Sequence, residues 1–477
     1  MAQAQEKLSQ INRWETTLET TGVSSKRFEQ TLEFYENSSE KKADYFSKQI
    51  GSTYVKENNF YRVYLPKSVN LGVDTFLLYI CDEWNKESQK EAKEQHDKVL
   101  IIGKDEELKN IRKLAIDKTN RLIAPRQEQL TEFLLSDDSE AVLVKVFADC
   151  LLLKDISPYQ VNSGVTNESN FFGRVEIIRD IISKENANYI IVGARQLGKS
   201  SIIKALERRY EGSSKIECYS FTMEDENIIA EMATALGMSV DASLDDVVAT
   251  LSTAKKKSIF LIDEADKFVK NEKKSEYRVT EAFRKLSQEG KATFVLTGFW
   301  TLYFSVTSDY HSPLKNFGEL IKLEGLDEEA CRDLMREPMK RIGVSYEDES
   351  IVENLITLCG KRPNLIAITC NEVLKNLEGK VISQKDIDEV VENSSLEEYL
   401  KGWGSMSSNA EDNQLDRVII YLTLEQESFR LADVVEMLKE RGVEVNANRI
   451  KESLERLVVG YLLHERKNLS STELNHC

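Results

Sequence analysis

The stretch Gly193-Ala194-Arg195-Gln196-Leu197-Gly198-Lys199-Ser200 decides the fold. An apolar run, Tyr189-Ile190-Ile191-Val192, precedes it, and Ser201-Ile202-Ile203-Lys204-Ala205-Leu206 follows with the apolar spacing of a helix. Strand, glycine loop and helix in that order turn the pattern G-x-x-x-x-G-K-S into a phosphate-binding loop. Gly193 and Gly198 carry no Cβ, so backbone N–H groups can wrap an anion closely. The helix that follows points its positive end at the same anion. Lys199 has the reach to bridge terminal phosphates, and the Ser200 hydroxyl can hold Mg²⁺. Gly193 to Ser201, with Ala194, Arg195, Gln196 and Leu197 between the glycines, are therefore the candidate nucleotide cradle. A chance glycine turn before a helix is the bland alternative, and the flanking strand and helix weigh against it.

A second stretch supports the first. Ser258-Ile259-Phe260-Leu261-Ile262-Asp263-Glu264-Ala265-Asp266 is an apolar run ending in acids, as in a buried parallel strand with carboxylates at its tip. Asp263 is placed to hold Mg²⁺ with Ser200, and Glu264 to polarise an attacking water. Alone, an acidic pair after a strand reads as a solvated turn. Its position about 65 residues past Gly-Lys-Ser, one crossover or two away, favours the functional reading.

The chain has 477 residues, enough for about three domains. It is 41% hydrophobic and 30% charged, the balance of a soluble globular protein. No apolar run approaches the ~18 residues of a membrane span. Met1-Ala2-Gln3-Ala4-Gln5-Glu6-Lys7 offers no apolar signal-peptide core, so a cytoplasmic location is expected. The seven cysteines are scattered without C-x-x-C spacing, which points to reduced thiols rather than zinc or a disulfide framework. A net charge of −17 argues against broad nucleic-acid binding, though a local basic patch stays open.

Four regions follow from the pattern: an N-terminal helical arm and small α/β domain over 1–155, a P-loop core over 156–325, a helical lid over 326–400, and a winged-helix domain over 412–477. In the first, Phe60–Leu65 alternates as a strand, Thr75–Cys81 reads as a strand or short core helix, and Lys98–Gly103 and Arg121–Pro125 read as strands. Asp74, Asp82 and Glu83 are available for a nuclease there, but no E-x-K follows on a strand, and Asp82-Glu83 read better as a solvated element end. A segment Phe171-Phe172-Gly173-Arg174 opens a helix about 20 residues before the glycine loop. Its Arg174 is either part of a strap over the nucleotide base or an ordinary exposed side chain. The strand Ala292–Gly298 carries Thr297 at its tip, which either senses the γ-phosphate or caps the strand end. Arg278 and Arg284 are weak candidates for fingers acting on a neighbouring copy. Gly360-Lys361-Arg362-Pro363 breaks the lid, and Pro363 either packs on the base or sets a turn.

After a linker at 401–411, helices at Leu415–Leu424, Leu431–Arg441 and Ala447–Val459 and a hairpin near Tyr461–His464 follow winged-helix order. Residues 412–477 hold 9 Lys/Arg against 12 Asp/Glu. The last of these helices mixes Arg449, Lys451 and Arg456 with Glu452 and Glu455, which favours a protein contact over a DNA contact.

Taken together, Phe-Phe-Gly-Arg, the Gly-Lys-Ser loop, Leu-Ile-Asp-Glu-Ala-Asp, Leu-Thr-Gly at 296–298, Ser312-Pro313-Leu314, Leu323-Glu324-Gly325-Leu326 and Gly360-Lys-Arg-Pro363 resemble the STAND class of signal-transduction ATPases. These are relatives of the AAA+ machines. The resemblance runs from Phe171 to about Leu374. It implies ATP or ADP with Mg²⁺ as ligands, and a closed ADP-bound monomer that exchanges for ATP and oligomerises. It also implies a lid proline on the nucleotide, a winged helix that locks the closed state, and roles in signalling or anti-phage defence. The usual long C-terminal repeat array has no counterpart here, and the N-terminal region matches no known effector pattern. A competing reading is a DNA-binding AAA+ initiator or loader of origin-recognition type, with Arg362 as its sensor arginine. A third is a degenerate nuclease regulated by the ATPase, which the missing E-x-K disfavours.

Overall fold

The computed structural model describes residues 24–69, 71–81, 83–104, 108–109, 111–112, 121–161, 164–184, 186–272, 274–393, 404–468 and 471–476. Its contacts group the chain into two units. One comprises Met1–Tyr159, Arg336–Glu347 and Cys370–Ile387; the other comprises Gln160–Met335, Asp348–Thr369 and Asp388–Cys477. The segment 326–400, read from sequence as a lid, is thus divided between them.

The first unit is built on a five-stranded sheet in sequential order: β1 (Thr53–Glu57), β2 (Phe60–Tyr64), β3 (Thr75–Ile80), β4 (Val99–Ile102) and β5 (Leu122–Ile123). The first three strands run antiparallel, and β4 and β5 join parallel. Asn58, at φ 54°, turns the β1–β2 hairpin in a conformation asparagine tolerates. Thr75–Ile80 is a strand, not a helix, with every residue after the first buried. On one face Phe76 meets Phe46 and Phe147, and Phe46 stacks on Phe133 at 4.4 Å, so helices Ser39–Gln49, Gln127–Leu135 and Ser139–Cys150 cover that side. The other face gathers Phe60, Tyr79, Trp84, Ala92 and Ile101.

Asp74 sits just before β3, where its carbonyl accepts Leu65 N–H at 2.8 Å. Asp82 lies outside the described residues, as do the N-terminal arm to residue 23 and linker residues 401–403. Among the described residues no group of three or more His, Cys, Asp or Glu could hold a metal ion. In the same unit β11 (Ser345–Tyr346) pairs with β12 (Val381–Ile382), and Lys380 meets Asp149 at 2.6 Å.

The second unit carries a five-stranded, all-parallel sheet: β6 (Tyr189–Val192), β7 (Ile216–Thr222), β8 (Lys257–Asp263), β9 (Ala292–Gly298) and β10 (Glu319–Lys322), in the order β10-β6-β9-β8-β7. β6 and β9 are buried along their whole length and β8 along all but its first residue, the signature of strands covered on both faces. Two helices, Ile228–Ala235 and Leu244–Thr253, fill the crossover from β7 to β8. On one face Phe283, Phe294, Phe260 and Tyr219 form a continuous stack with centroid steps of 4.2, 5.5 and 5.1 Å. Phe283 comes from the helix Arg278–Gln288. The opposite face (Ile191, Ile259, Leu261, Val295) packs on Ile202, Ile203 and Leu206 of the helix Lys199–Tyr210 and on Ile178 and Ile181 of Val175–Ser183. The α/β parallel core expected from the sequence is present, with β9 inserted between the glycine-loop strand and the acid-tipped strand.

Helices Ala410–Thr423, Leu431–Glu440 and Ala447–Val459 follow, and the antiparallel hairpin β13 (Leu463–Asn468) and β14 (Ser471–His476) closes on them through a Phe429–Leu474 bridge. The first helix starts five residues before the expected Leu415, at Ala410 beside the cap Asn409. Ile419, Val434, Leu438, Ile450 and Leu457 form the core of this bundle. No helix among the described residues is long and apolar enough to cross a membrane.

Candidate functional site

The parallel sheet brings the tips of β6, β9 and β8 side by side at its C-terminal edge, the edge at which open α/β sheets bind ligands. The chain leaves β6, turns through the glycine loop and enters the helix at Lys199. The turn needs Gly198, which sits at φ 90°, a conformation that costs L-residues about 1–2 kcal/mol. Lys199 is 8% exposed. Its Nζ donates to the carbonyls of Gly193 at 2.8 Å and Ala194 at 2.9 Å, and among the described residues no ion pair holds it. Burial lowers its pKa, against the opposing pull of the Glu264, Asp263 and Asp266 carboxylates. A buried ammonium resting on carbonyls is a charge awaiting an anion.

Ser200 Oγ donates to Asp263 Oδ2 at 2.5 Å. The other Asp263 oxygen accepts Glu264 N–H at 3.0 Å and the Thr297 hydroxyl. Ser200 and Asp263 are therefore adjacent oxygen donors of the kind a hard divalent cation takes. Thr297 is fully buried and spends its hydroxyl on Asp263, so its visible work is to orient that carboxylate. Glu264 is exposed and held at φ 56°, a strained position for a non-glycine residue. Donor set, buried cation and glycine turn together fit a nucleotide with Mg²⁺.

Beside the loop lies a small recess of about 70 Å³. Its walls are Phe171, Phe172 and Arg174 from the lead-in segment, Gln196, Leu197, Gly198 and Ser201 from the loop, and Leu326, Leu334, Pro363, Asn364 and Ala367 beyond the sheet. Arg174 is half-buried at φ 61°, hydrogen-bonded through Nη2 to the Glu324 carbonyl, with Nε buried and unpartnered. Burial lowers its pKa, and Asp327 opposes that. Pro363 opens the helix Pro363–Asn376 and faces the glycine loop, while Asn364 N–H donates to Gln196 O at 3.4 Å. Ser201 Oγ accepts Val165 N–H at 3.1 Å, so the 164–166 segment also covers the loop. Arg195 is exposed and Ala194 buried.

Other sequence candidates lie elsewhere. Arg278 is exposed at the start of its helix. Arg362 is turned to the bundle, where Nη2 donates to the carbonyls of Gly460 at 3.2 Å and Tyr461 at 2.6 Å. Three features escaped sequence reasoning. Val165, Asn170 and Leu334 in the recess carry no local motif. Asp266 reads only as the end of an acidic run, yet accepts Phe299 N–H at 2.6 Å and Leu302 N–H at 3.0 Å. Arg456, 2% exposed, pairs with Asp416 through Nε and Nη2, both at 2.7 Å, and its guanidinium lies 5.0 Å from the Trp300 ring centre. An arginine between apolar Leu454 and Leu457 was the one available signal of that pair.

Among solved structures, the chain is similar to the Walker-type ATPase PABY2304 of Pyrococcus abyssi, at 16% identity over 65% of this chain and 95% of that one, with a TM-score of 0.48. It is similar to the Aeropyrum pernix ORC1 protein in complex with DNA, at 16% identity over 64% and 90%, with a TM-score of 0.37. It is similar to the Thermotoga maritima RuvB Holliday junction branch migration motor, at 12% identity over 63% and 92%, with a TM-score of 0.34. No curated protein matches it in sequence. The model of the Novel STAND NTPase 1 family matches residues 162–464, which takes in the glycine loop, the acid-tipped strand, most of the recess and the three helices of the C-terminal bundle, and the chain belongs to this family.

Proposed function

We propose that this STAND NTPase binds ATP with Mg²⁺ in the cytoplasm and hydrolyses it slowly, using hydrolysis to reset a conformational switch. One observation carries the reading: a buried Lys199 resting on the Gly193 and Ala194 carbonyls beside the Ser200–Asp263 oxygen pair. Lys199 and the loop N–H groups hold the terminal phosphates, and Ser200 and Asp263 hold the cation. Bound Mg²⁺ supplies charge neutralisation at the terminal phosphate. Glu264 orients the attacking water and takes its proton, as a carboxylate exposed at the sheet edge can. The recess between Phe172, Arg174 and Pro363 takes the adenine base.

The switch part of the reading rests on what lines the site. Pro363 and Ala367 belong to the helix that follows Arg362, and Arg362 holds the bundle through Gly460 and Tyr461. A ligand that fills the recess acts on the same segment that anchors the bundle. We read the bundle as a winged helix making protein contacts. The basic side chains of its helix Ala447–Val459 are paired within the domain: Arg449 with Glu411 and Asp412, Lys451 with Glu455, and Arg456 with Asp416. That spending of charge disfavours the DNA-loading alternative. Regulation through protein partners or self-assembly, anti-phage defence included, is the setting this reading fits.

The test is solution mass by light scattering with ADP, then with ATP·Mg²⁺ on Glu264→Gln, each with and without a DNA duplex. Assembly on ATP alone supports the switch. Assembly that requires DNA hands the function to the initiator reading. Lys199→Ala should lose nucleotide binding, and Glu264→Gln should bind ATP and hydrolyse it slowly; hydrolysis at the wild-type rate removes Glu264 as the base.

A further inference from the structure

The Glu264 backbone is strained, and something must hold it. Ala265 N–H donates to Thr297 O at 2.8 Å, which ties the residue after Glu264 to the tip of β9. Asp266 ties the next residue but one to the same place. Its Oδ2 accepts Phe299 N–H at 2.6 Å and its Oδ1 accepts Leu302 N–H at 3.0 Å. Both N–H groups belong to the start of the helix Trp300–Thr307, which follows β9 directly. One carboxylate thus satisfies two donors of a helix N-terminus, the charge-favourable end. The fit is tight: a Cβ on Gly298 would stand 2.5 Å from Asp266 Oδ2 and 2.8 Å from Leu302 Cδ2. On the other side Lys267 Nζ donates to Met223 O at 2.7 Å, beyond the end of β7. The acidic turn is therefore stapled to the strand ends on both sides, with Glu264 at the crest.

We infer that Asp266 is a positioning residue for hydrolysis: it fixes the turn that presents the Glu264 carboxylate, and does so without touching the nucleotide. This rests on the reading of Glu264 as the base. The hydrogen bonds that anchor Lys199, Ser200 and Asp263 do not involve Asp266, so its loss should leave nucleotide affinity nearly unchanged. A base displaced by about 1 Å loses up to ~100-fold in rate. The two effects separate in one experiment.

Asp266→Ala and Asp266→Asn are compared with wild type and Glu264→Gln for ATP Kd, KM and kcat under single-turnover conditions, with melting followed in parallel. The expected result is a kcat about 10- to 100-fold lower in Asp266→Ala with Kd within about 2-fold of wild type. Asp266→Asn, which keeps one acceptor, should recover part of the loss. A purely structural role would lower the melting temperature and leave kcat per folded molecule unchanged, and that outcome overturns the inference. Loss of ATP affinity in parallel with kcat also overturns it. Should Asp266→Ala not fold, the near-isosteric Asp266→Asn decides: its kcat must fall at unchanged Kd, and full wild-type kcat refutes the proposal. Failure of the underlying reading shows separately, as wild-type turnover in Glu264→Gln.

Discussion

Asp416→Ala should loosen the C-terminal bundle by an amount the structure sets. Asp416 is 1% exposed and Arg456 2%, so neither charge is solvated. The carboxylate accepts from Arg456 Nε and Nη2, both at 2.7 Å, and from Ser453 Oγ at 2.5 Å. Burial pushes the Asp416 carboxyl above the usual range while the Arg456 guanidinium pulls it down, as expected where desolvation and pairing compete. Truncation leaves a buried guanidinium with the Asp412 carbonyl at 3.4 Å, its carboxylate at 3.9 Å and the Trp300 ring nearby. Breaking a buried pair costs about 3–5 kcal/mol, and the residual Asp412 contact places the value near ~3 kcal/mol. That corresponds to about a hundredfold rise in local opening, at ~1.4 kcal/mol per tenfold. Replacing both partners, Asp416→Leu with Arg456→Met, should bring stability back to within about 1 kcal/mol, less the ~0.5–2 kcal/mol of the Arg456 contact with Trp300. Local opening is the right measure, because a chain of several domains does not unfold in one step. Amide hydrogen exchange over Ile450–Leu457 reads it. A loss of protection under about tenfold in Asp416→Ala would mean the pair is not held out of water, and the reasoning fails. A double variant as loose as the single one would refute charge compensation and leave side-chain shape as the cause.

Gly198→Ala should weaken ATP binding by about 5- to 30-fold, because at φ 90° an added Cβ strains the turn by about 1–2 kcal/mol and shifts the loop N–H groups; calorimetry with ADP and ATP checks it, and unchanged affinity would show that the loop adapts. The thiols make a pH prediction. Burial pushes Cys331 and Cys370 up to about 11 and Cys218 up to about 12, against an ordinary value of 9.0. A raised folded pKa adds stability below the unfolded pKa and loses it as pH climbs, so stability should drop between about pH 9 and pH 11 as the unfolded thiols ionise first. Alkylation of native protein at pH 8 should leave the buried Cys331 and Cys370 unmodified; rapid labelling of Cys370, 1% exposed, would contradict that burial.

The legible parts of this protein are those whose determinants are neighbours in the chain. The strand Tyr189–Val192, the glycine turn and the helix behind it are a local pattern, and so is the apolar run that ends at Asp263. Asp263 and Ser200 could be paired on paper because each belongs to a motif with a defined chemical task. Thr297 was harder. A threonine at a strand tip has several uses, and only the register of β9 beside β8 turns its hydroxyl to Asp263. Arg362 shows the opposite case, a basic residue near the site by sequence that the fold turns to carbonyls of the bundle. The bundle itself was readable as three helices from apolar spacing, but its buried ion pair was not, since Asp416 and Arg456 lie on different helices and each alone looks like a surface residue.

From the chain alone one reads an α/β core, the place of its glycine loop and acids, and the order in which the elements follow, because backbone propensity, glycine freedom and apolar period act over a few residues. Only the tertiary structure decided the order β10-β6-β9-β8-β7, the walls of the recess beside the loop, the cap that Asp266 places on the helix after β9, and the Arg456–Asp416 pair beside Trp300. Each of these depends on which distant surfaces exclude water together, and that is a property of packing that no short window of the chain contains.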